Sequence, residues 1–172
     1  SRSHCVMDKQ EILLVIKALL ILCWLFLAYI DIKSFRLPNA ITLPLIPLGF
    51  VFNIASDFGF ADAGSSFLGA IAGYTLFWGL NFVYRLFKDR DGIGMGDAKL
   101  LAGMGAWLGL SSLPSILLIA SLSGAIGGFI WLRYKNYQAN QAFPFGPFLV
   151  IAGIIQLLWP QLLTNLLLPQ MI

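Results

Sequence analysis

The chain has 172 residues, 59% hydrophobic and only 11% charged, with a mean hydropathy of +0.83. Soluble domains carry roughly 25% charged residues, so the solvating shell is missing; lipid is the expected solvent and disorder is excluded. Two cysteines, one histidine and a net charge of +3 interrupted by apolar runs provide no disulfide framework, no closed zinc site and no nucleic-acid footprint.

In chain order, the first apolar run extends from Glu11 to Ile30 and is followed at once by Asp31, Lys33 and Arg36, with no small-residue cleavage site between. That pattern predicts a retained helix rather than a removed leader. A second run, Ile41 to Ser56, carries Pro44 and Pro47 in its first turns, where missing amide donors cost least. The third, Gly64 to Tyr84, reaches ~31 Å at ~1.5 Å per residue, enough to cross the hydrocarbon. Beyond the charged stretch Arg85 to Lys99, Leu100 to about Leu113 is short for a span and fits a helix packed inside a bundle. Ser115 to Leu132 and Phe148 to Leu168 complete six candidates, with Pro160 an expected kink in the last. The fold class expected is all-α: a polytopic membrane bundle of about six helices, with residues 1–10 an N-terminal extension and 11–172 a single transmembrane domain.

Assigning the connecting segments to alternate sides of the bilayer places Lys33, Arg36, Arg85, Lys88, Arg90, Lys99, Arg133 and Lys135 on one side and only Arg2 and Lys9 on the other. The positive-inside rule makes the first side cytoplasmic and puts both termini on the opposite side. Within the spans, glycines recur four apart at Gly69 and Gly73, Gly105 and Gly109, and Gly124 and Gly128, a spacing that lets helix backbones approach closely. The tryptophans, Trp24, Trp78, Trp107, Trp131 and Trp159, read as interface or packing residues.

Carboxylates at membrane depth are costly, so each acid needs a reading. Asp8 and Glu11 precede the first helix, Asp57 and Asp62 lie in an uncharged loop, and Asp89 and Asp91 alternate with Lys88 and Arg90; these six read as solvated. Asp31 and Asp97 differ. Each abuts an apolar run, Asp31 ending the first helix and Asp97 opening the fourth, at the same cytoplasmic depth. Two carboxyls within hydrogen-bond reach cannot both ionise, and a pair sharing one proton can activate a water and protonate a peptide carbonyl without a metal. The bland reading is that both only mark helix ends at the headgroups. Gly92, Gly94 and Gly96, alternating before Asp97, form a segment that another backbone can approach. As a phosphate motif the stretch fails, because no strand precedes it and no Lys-Ser or Lys-Thr follows.

The segment Gly94-Met95-Gly96-Asp97-Ala98-Lys99-Leu100-Leu101 resembles the GxGD signature of the type IV prepilin peptidases, membrane aspartic proteases. Asp31 to Leu45 resembles the first-aspartate region of that family, and Pro144-Phe145-Gly146-Pro147-Phe148-Leu149 its C-terminal motif. The resemblance implies an inner-membrane aspartic endopeptidase that cuts the basic leader from type IV prepilins or type II secretion pseudopilins at the cytoplasmic face. Asp31 and Asp97 match the catalytic pair; Gly94, Gly96, Lys99, Pro144 and Gly146 are candidates for substrate binding or loop support. Lys99 reads either as a partner of Asp97 or, preferably, as an interfacial anchor. The partners implied are a pilin precursor and the bilayer, with no nucleic acid.

Long members of that family carry paired cysteines in a cytoplasmic region and N-methylate the new terminus. Here only Ser3-His4-Cys5 is similar to such a region, so the chain reads as a short form needing no cofactor or metal, with methyl transfer left open. The start at Ser1 fits either upstream loss or a naturally short form. Two rivals remain. The presenilin branch shares GxGD, but Tyr29 is separated from Asp31 by Ile30 and no Pro-Ala-Leu triplet occurs near the C-terminus. A small transporter or channel would use Asp31 and Asp97 as a proton or cation site.

Overall fold

The structure, a computed structural model, describes residues 2–34, 37–56, 59–88, 95–135 and 145–167. Among them every regular element is helical: α1 (Arg2–Ser34), α2 (Asn39–Ala55), α3 (Ala63–Lys88), α4 (Met95–Leu108), α5 (Leu113–Lys135), α6 (Gly146–Leu158) and α7 (Leu162–Leu167), with a 3-10 turn at Leu110–Ser112 before α5. Lipid offers no hydrogen bonds to a backbone, which leaves helices as the segment-by-segment solution. Lys9–Ser34, Ala63–Lys88 and Leu110–Trp131 are long and apolar enough to cross a membrane, and α2 and α6 are shorter apolar helices.

Helix α1 shows how side chains sort. Leu20, Trp24, Leu27, Ala28 and Asp31 are buried along one stripe, whereas Leu14, Leu22, Leu25, Phe26 and Tyr29 are exposed. In water such an apolar belt would aggregate; in a bilayer it is the solvent-facing surface.

At 14 residues, α4 spans only ~21 Å. It packs against α2, α3, α5 and α6, and every residue from 100 to 109 is buried. A helix apolar all round belongs inside a bundle, as the short run after Lys99 leads one to expect. The closest crossing is with α3. A Cβ on Gly69 would meet the Gly105 backbone, one on Gly73 the carbonyl of Leu101 at 2.8 Å, and one on Gly105 the carbonyl of Gly69. The first two glycine pairs expected from spacing therefore pack on each other. In the third, Gly124 leaves room for the ring of Phe145, and Gly127, which the spacing did not single out, leaves room for that of Phe148.

The far end of α4 is tied down by polar groups. Asn53 donates through Nδ2 to the carbonyls of Ala106 (2.9 Å) and Trp107 (3.0 Å), and its Oδ1 accepts from the amides of Phe60 (2.9 Å) and Ala61 (3.3 Å). The Ser66 hydroxyl also donates to the Ala106 carbonyl. These bonds satisfy carbonyls left over at a helix C-terminus. Gly109 then turns the chain at φ 93°, a conformation that favours glycine, and donates to the Gly105 carbonyl at 2.8 Å. Asp62, expected to be solvated, accepts from the Ser65 amide at 2.7 Å and so caps the start of α3.

The last apolar run differs from expectation. Instead of one kinked helix from Phe148 to Leu168, α6 stops at Leu158 and α7 resumes at Leu162. Pro160 lacks the amide and disfavours helical geometry in Trp159 before it, so the chain breaks there. Trp24 and Trp107 are packing residues, while Trp78 and Trp159 are exposed on the apolar surface.

Candidate active site

Helical periodicity carries Asp31 inward. It lies seven residues beyond Trp24 and four beyond Leu27, on the face of α1 that packs against α6. Asp97 lies seven residues before Met104 on α4. Trp24 and Met104 both reach the Cβ position of Gly153 on α6, where Met104 Cε is 2.7 Å and Trp24 Cζ3 is 3.5 Å away. From that shared floor each carboxyl rises two turns, ~10 Å, towards the same end of the bundle. Their levels match because α1 ends where α4 begins.

Asp31 is 5% exposed and Asp97 is half-buried. Burial first, and then the neighbouring Asp31 charge, push the Asp97 carboxyl up to about 7. The Coulomb influence of one acid on the other is what a shared-proton pair requires. Asp31 accepts a hydrogen bond at Oδ2 from the amide of Gly146, 3.0 Å away, at the first residue of α6. Gly146 is held there by aromatic packing. Phe145 meets Phe77 of α3 at 6.3 Å between centroids and Phe148 at 6.5 Å, and both rings lie over the glycines of α5. Pro147 costs nothing so early in the helix, where its amide would find no partner within the helix.

Gly96 and Lys99 act on the segment after Asp31. Leu37, itself buried, lies 3.0 Å from the Cβ position of Gly96, and Lys99 Nζ donates to Asn39 Oδ1 at 2.8 Å. Lys99 is thus bonded to the start of α2. Together the two contacts tie residues 37–39 to the first turn of α4. Gly94 and Pro144 lie outside the described residues. Lys33 Nζ lies 5.7 Å above the ring of Tyr29, on an exposed face.

Leu37 and Asn39, which carry no chemistry of their own, were not singled out by the sequence as supports of the site. Among the described residues no group of three or more His, Cys, Asp or Glu is placed to hold a metal ion.

Fold and site together define a polytopic helical membrane protein with an acidic pair at one end of its bundle. Residues 18–129 match the type IV leader peptidase family, and the chain belongs to it. It is 42% identical over 150 residues to the prepilin leader peptidase/N-methyltransferase of Aeromonas hydrophila, covering 86% of this chain and 51% of that protein. The protein of the same name from Pseudomonas aeruginosa is 42% identical over 151 residues, with the same coverage. The one from Neisseria gonorrhoeae is 43% identical over 129 residues, covering 75% of this chain and 43% of its own. The chain spans about half the length of the curated relatives it matches. No solved structure matches it significantly. Its relatives and its apolar helices make it a bacterial membrane protein.

Proposed function

We propose that this chain is an aspartic endopeptidase that removes the basic leader from type IV prepilins or type II secretion pseudopilins. The observation that carries the proposal is the convergence of Asp31 and Asp97, from helices far apart in sequence, at one end of the bundle, close enough for the charge of one to raise the other. One carboxylate takes a proton from water as the water oxygen attacks the scissile carbonyl carbon; the other carboxyl donates its proton to the carbonyl oxygen. Collapse of the resulting diol breaks the C–N bond as a proton passes to the leaving nitrogen. Residues 11–172 act as the single peptidase domain in this reading.

The charge asymmetry of the connecting segments supports an inner-membrane location with the acidic pair at the cytoplasmic face and both termini opposite. A basic leader is drawn to the anionic leaflet there, while the apolar pilin helix stays in the bilayer. Gly96, through Leu37, and Lys99, through Asn39, support the loop between the two acids rather than contacting either acid in the described bonds.

The test is Asp31→Asn and Asp97→Asn, made separately, with cleavage of a prepilin followed in liposomes. Each is expected to abolish cutting while the protein still inserts. Substantial cleavage by either variant would falsify the paired mechanism, and proton or cation flux without proteolysis would replace it with a transporter.

A further inference from the structure

The aspartic mechanism above needs one ionised and one protonated carboxyl, but does not say which is which. Burial penalises charge on both acids, so the assignment rests on what distinguishes them. Among the described residues, the hydrogen bond that reaches either carboxyl is the one from the Gly146 amide to Asp31 Oδ2. An amide bonds a carboxylate more strongly than a neutral acid, and this one stands at the N-terminus of a 13-residue helix, whose dipole favours negative charge. The approach is specific to glycine. A Cβ at position 146 would collide with Asp31 Oδ2 and lie 3.0 Å from its Cγ.

We propose that the Gly146 amide is the positioning group of the pair: it fixes the negative charge on Asp31, which makes Asp31 the base and Asp97 the acid. Asp31 Oδ1 then takes the proton of the attacking water as its oxygen bonds to the scissile carbon, and Asp97 gives its proton to the carbonyl oxygen. In the second half, Asp31 passes that proton to the leaving nitrogen as the C–N bond breaks, and Asp97 recovers one from the diol. Protons balance and both acids end as they began. The upward push on Asp97, by burial and by the charge opposite it, agrees with its holding the proton. From the packed elements, the Gly146 amide of α6 bonds Asp31, and the ionisable group that faces it is Asp97 of α4, on which the Asp31 charge acts.

The inference rests on the peptidase reading and is tested apart from it. Cell-free synthesis of the full chain into liposomes, with glycolic acid in place of Gly146, turns one N–H into an ester oxygen and adds no atom. The expected result is a fall in kcat on the order of 10- to 100-fold with KM for prepilin nearly unchanged. The acidic limb of the pH–kcat profile is expected to move up by about one pH unit while the alkaline limb stays. An unchanged kcat, or movement of the alkaline limb, overturns the assignment. Infrared spectra of the unaltered backbone decide it independently: the protonated-carboxyl band is expected to vanish in Asp97→Asn and persist in Asp31→Asn, and the reverse overturns it. If the wild-type chain cleaves no prepilin, the peptidase reading fails instead, whatever the spectra show.

Discussion

The crossing of α3 and α4 sets the position of the helix that carries Asp97, and two substitutions two residues apart on α4 test it. At Gly105 an added methyl would be driven into the carbonyl of Gly69 and would lie 3.1 Å from the amide nitrogen of Ala70; all three atoms nearest to it belong to the α3 backbone. Carbon contacts settle at ~3.5–4.0 Å, so the helices must part by on the order of an ångström, and backbone does not swing aside as a side chain does. Overpacking of this kind costs ~1–3 kcal/mol, and the ~1 kcal/mol of helix propensity gained by alanine offsets only part of the upper range. Gly103 is the internal control. A methyl there meets Ile46 Cγ1 and Leu45 Cβ, both at 3.9 Å, an ordinary contact. Gly103→Ala is therefore expected to stabilise by ~0.5–1 kcal/mol. Thermal unfolding in detergent should separate the two variants by several degrees, at ~2–4 °C per kcal/mol for a chain of this size, with Gly105→Ala below wild type and Gly103→Ala at or above it. If Gly105→Ala proves as stable as Gly103→Ala, α3 and α4 do not cross at backbone contact.

Two further outcomes follow from other parts of the structure. Asn53→Leu leaves the Trp107 carbonyl and the amides of Phe60 and Ala61 without their side-chain partner, and at ~1–3 kcal/mol per unsatisfied buried group it is expected to destabilise by about 3 kcal/mol. Because Asn53 lies at the end of the bundle away from the acids, kcat of the folded fraction should hold; an unchanged unfolding midpoint refutes the role. Asp97 gives a pH dependence whose sign is fixed: its carboxyl rises from 3.8 to about 7 on folding, so the folded state holds the proton more tightly. The stability it contributes is complete below 3.8 and is lost as pH rises through about 7, so the midpoint should fall across that window and the slope should flatten in Asp97→Asn. A wild-type profile no steeper than that of the variant contradicts the shift.

Which parts of this were legible beforehand depends on the range of the forces involved. In lipid each segment must close its own backbone hydrogen bonds, so apolar runs and their flanking charges locate helices almost independently of one another. The sequence thus determined the helical class, the short buried α4, the ends of helices on which Asp31 and Asp97 sit, and their common level. Pro160 was visible as a disruption, but whether a helix bends or breaks depends on the packing available to the residues beyond it. Gly124 and Gly127 were both in view, yet that they admit the rings of Phe145 and Phe148 is set by how α5 and α6 cross. Lys99 has reach enough for several partners, and only the position of α2 selects Asn39. The Gly146 amide is a backbone group with no signature in composition, and it reaches Asp31, 115 positions away in sequence, only because aromatic packing fixes the first turn of α6. Solvation by lipid acts residue by residue along the chain, whereas the partner of each carboxyl depends on interhelical geometry to within a few tenths of an ångström, and that was decided by the tertiary structure alone.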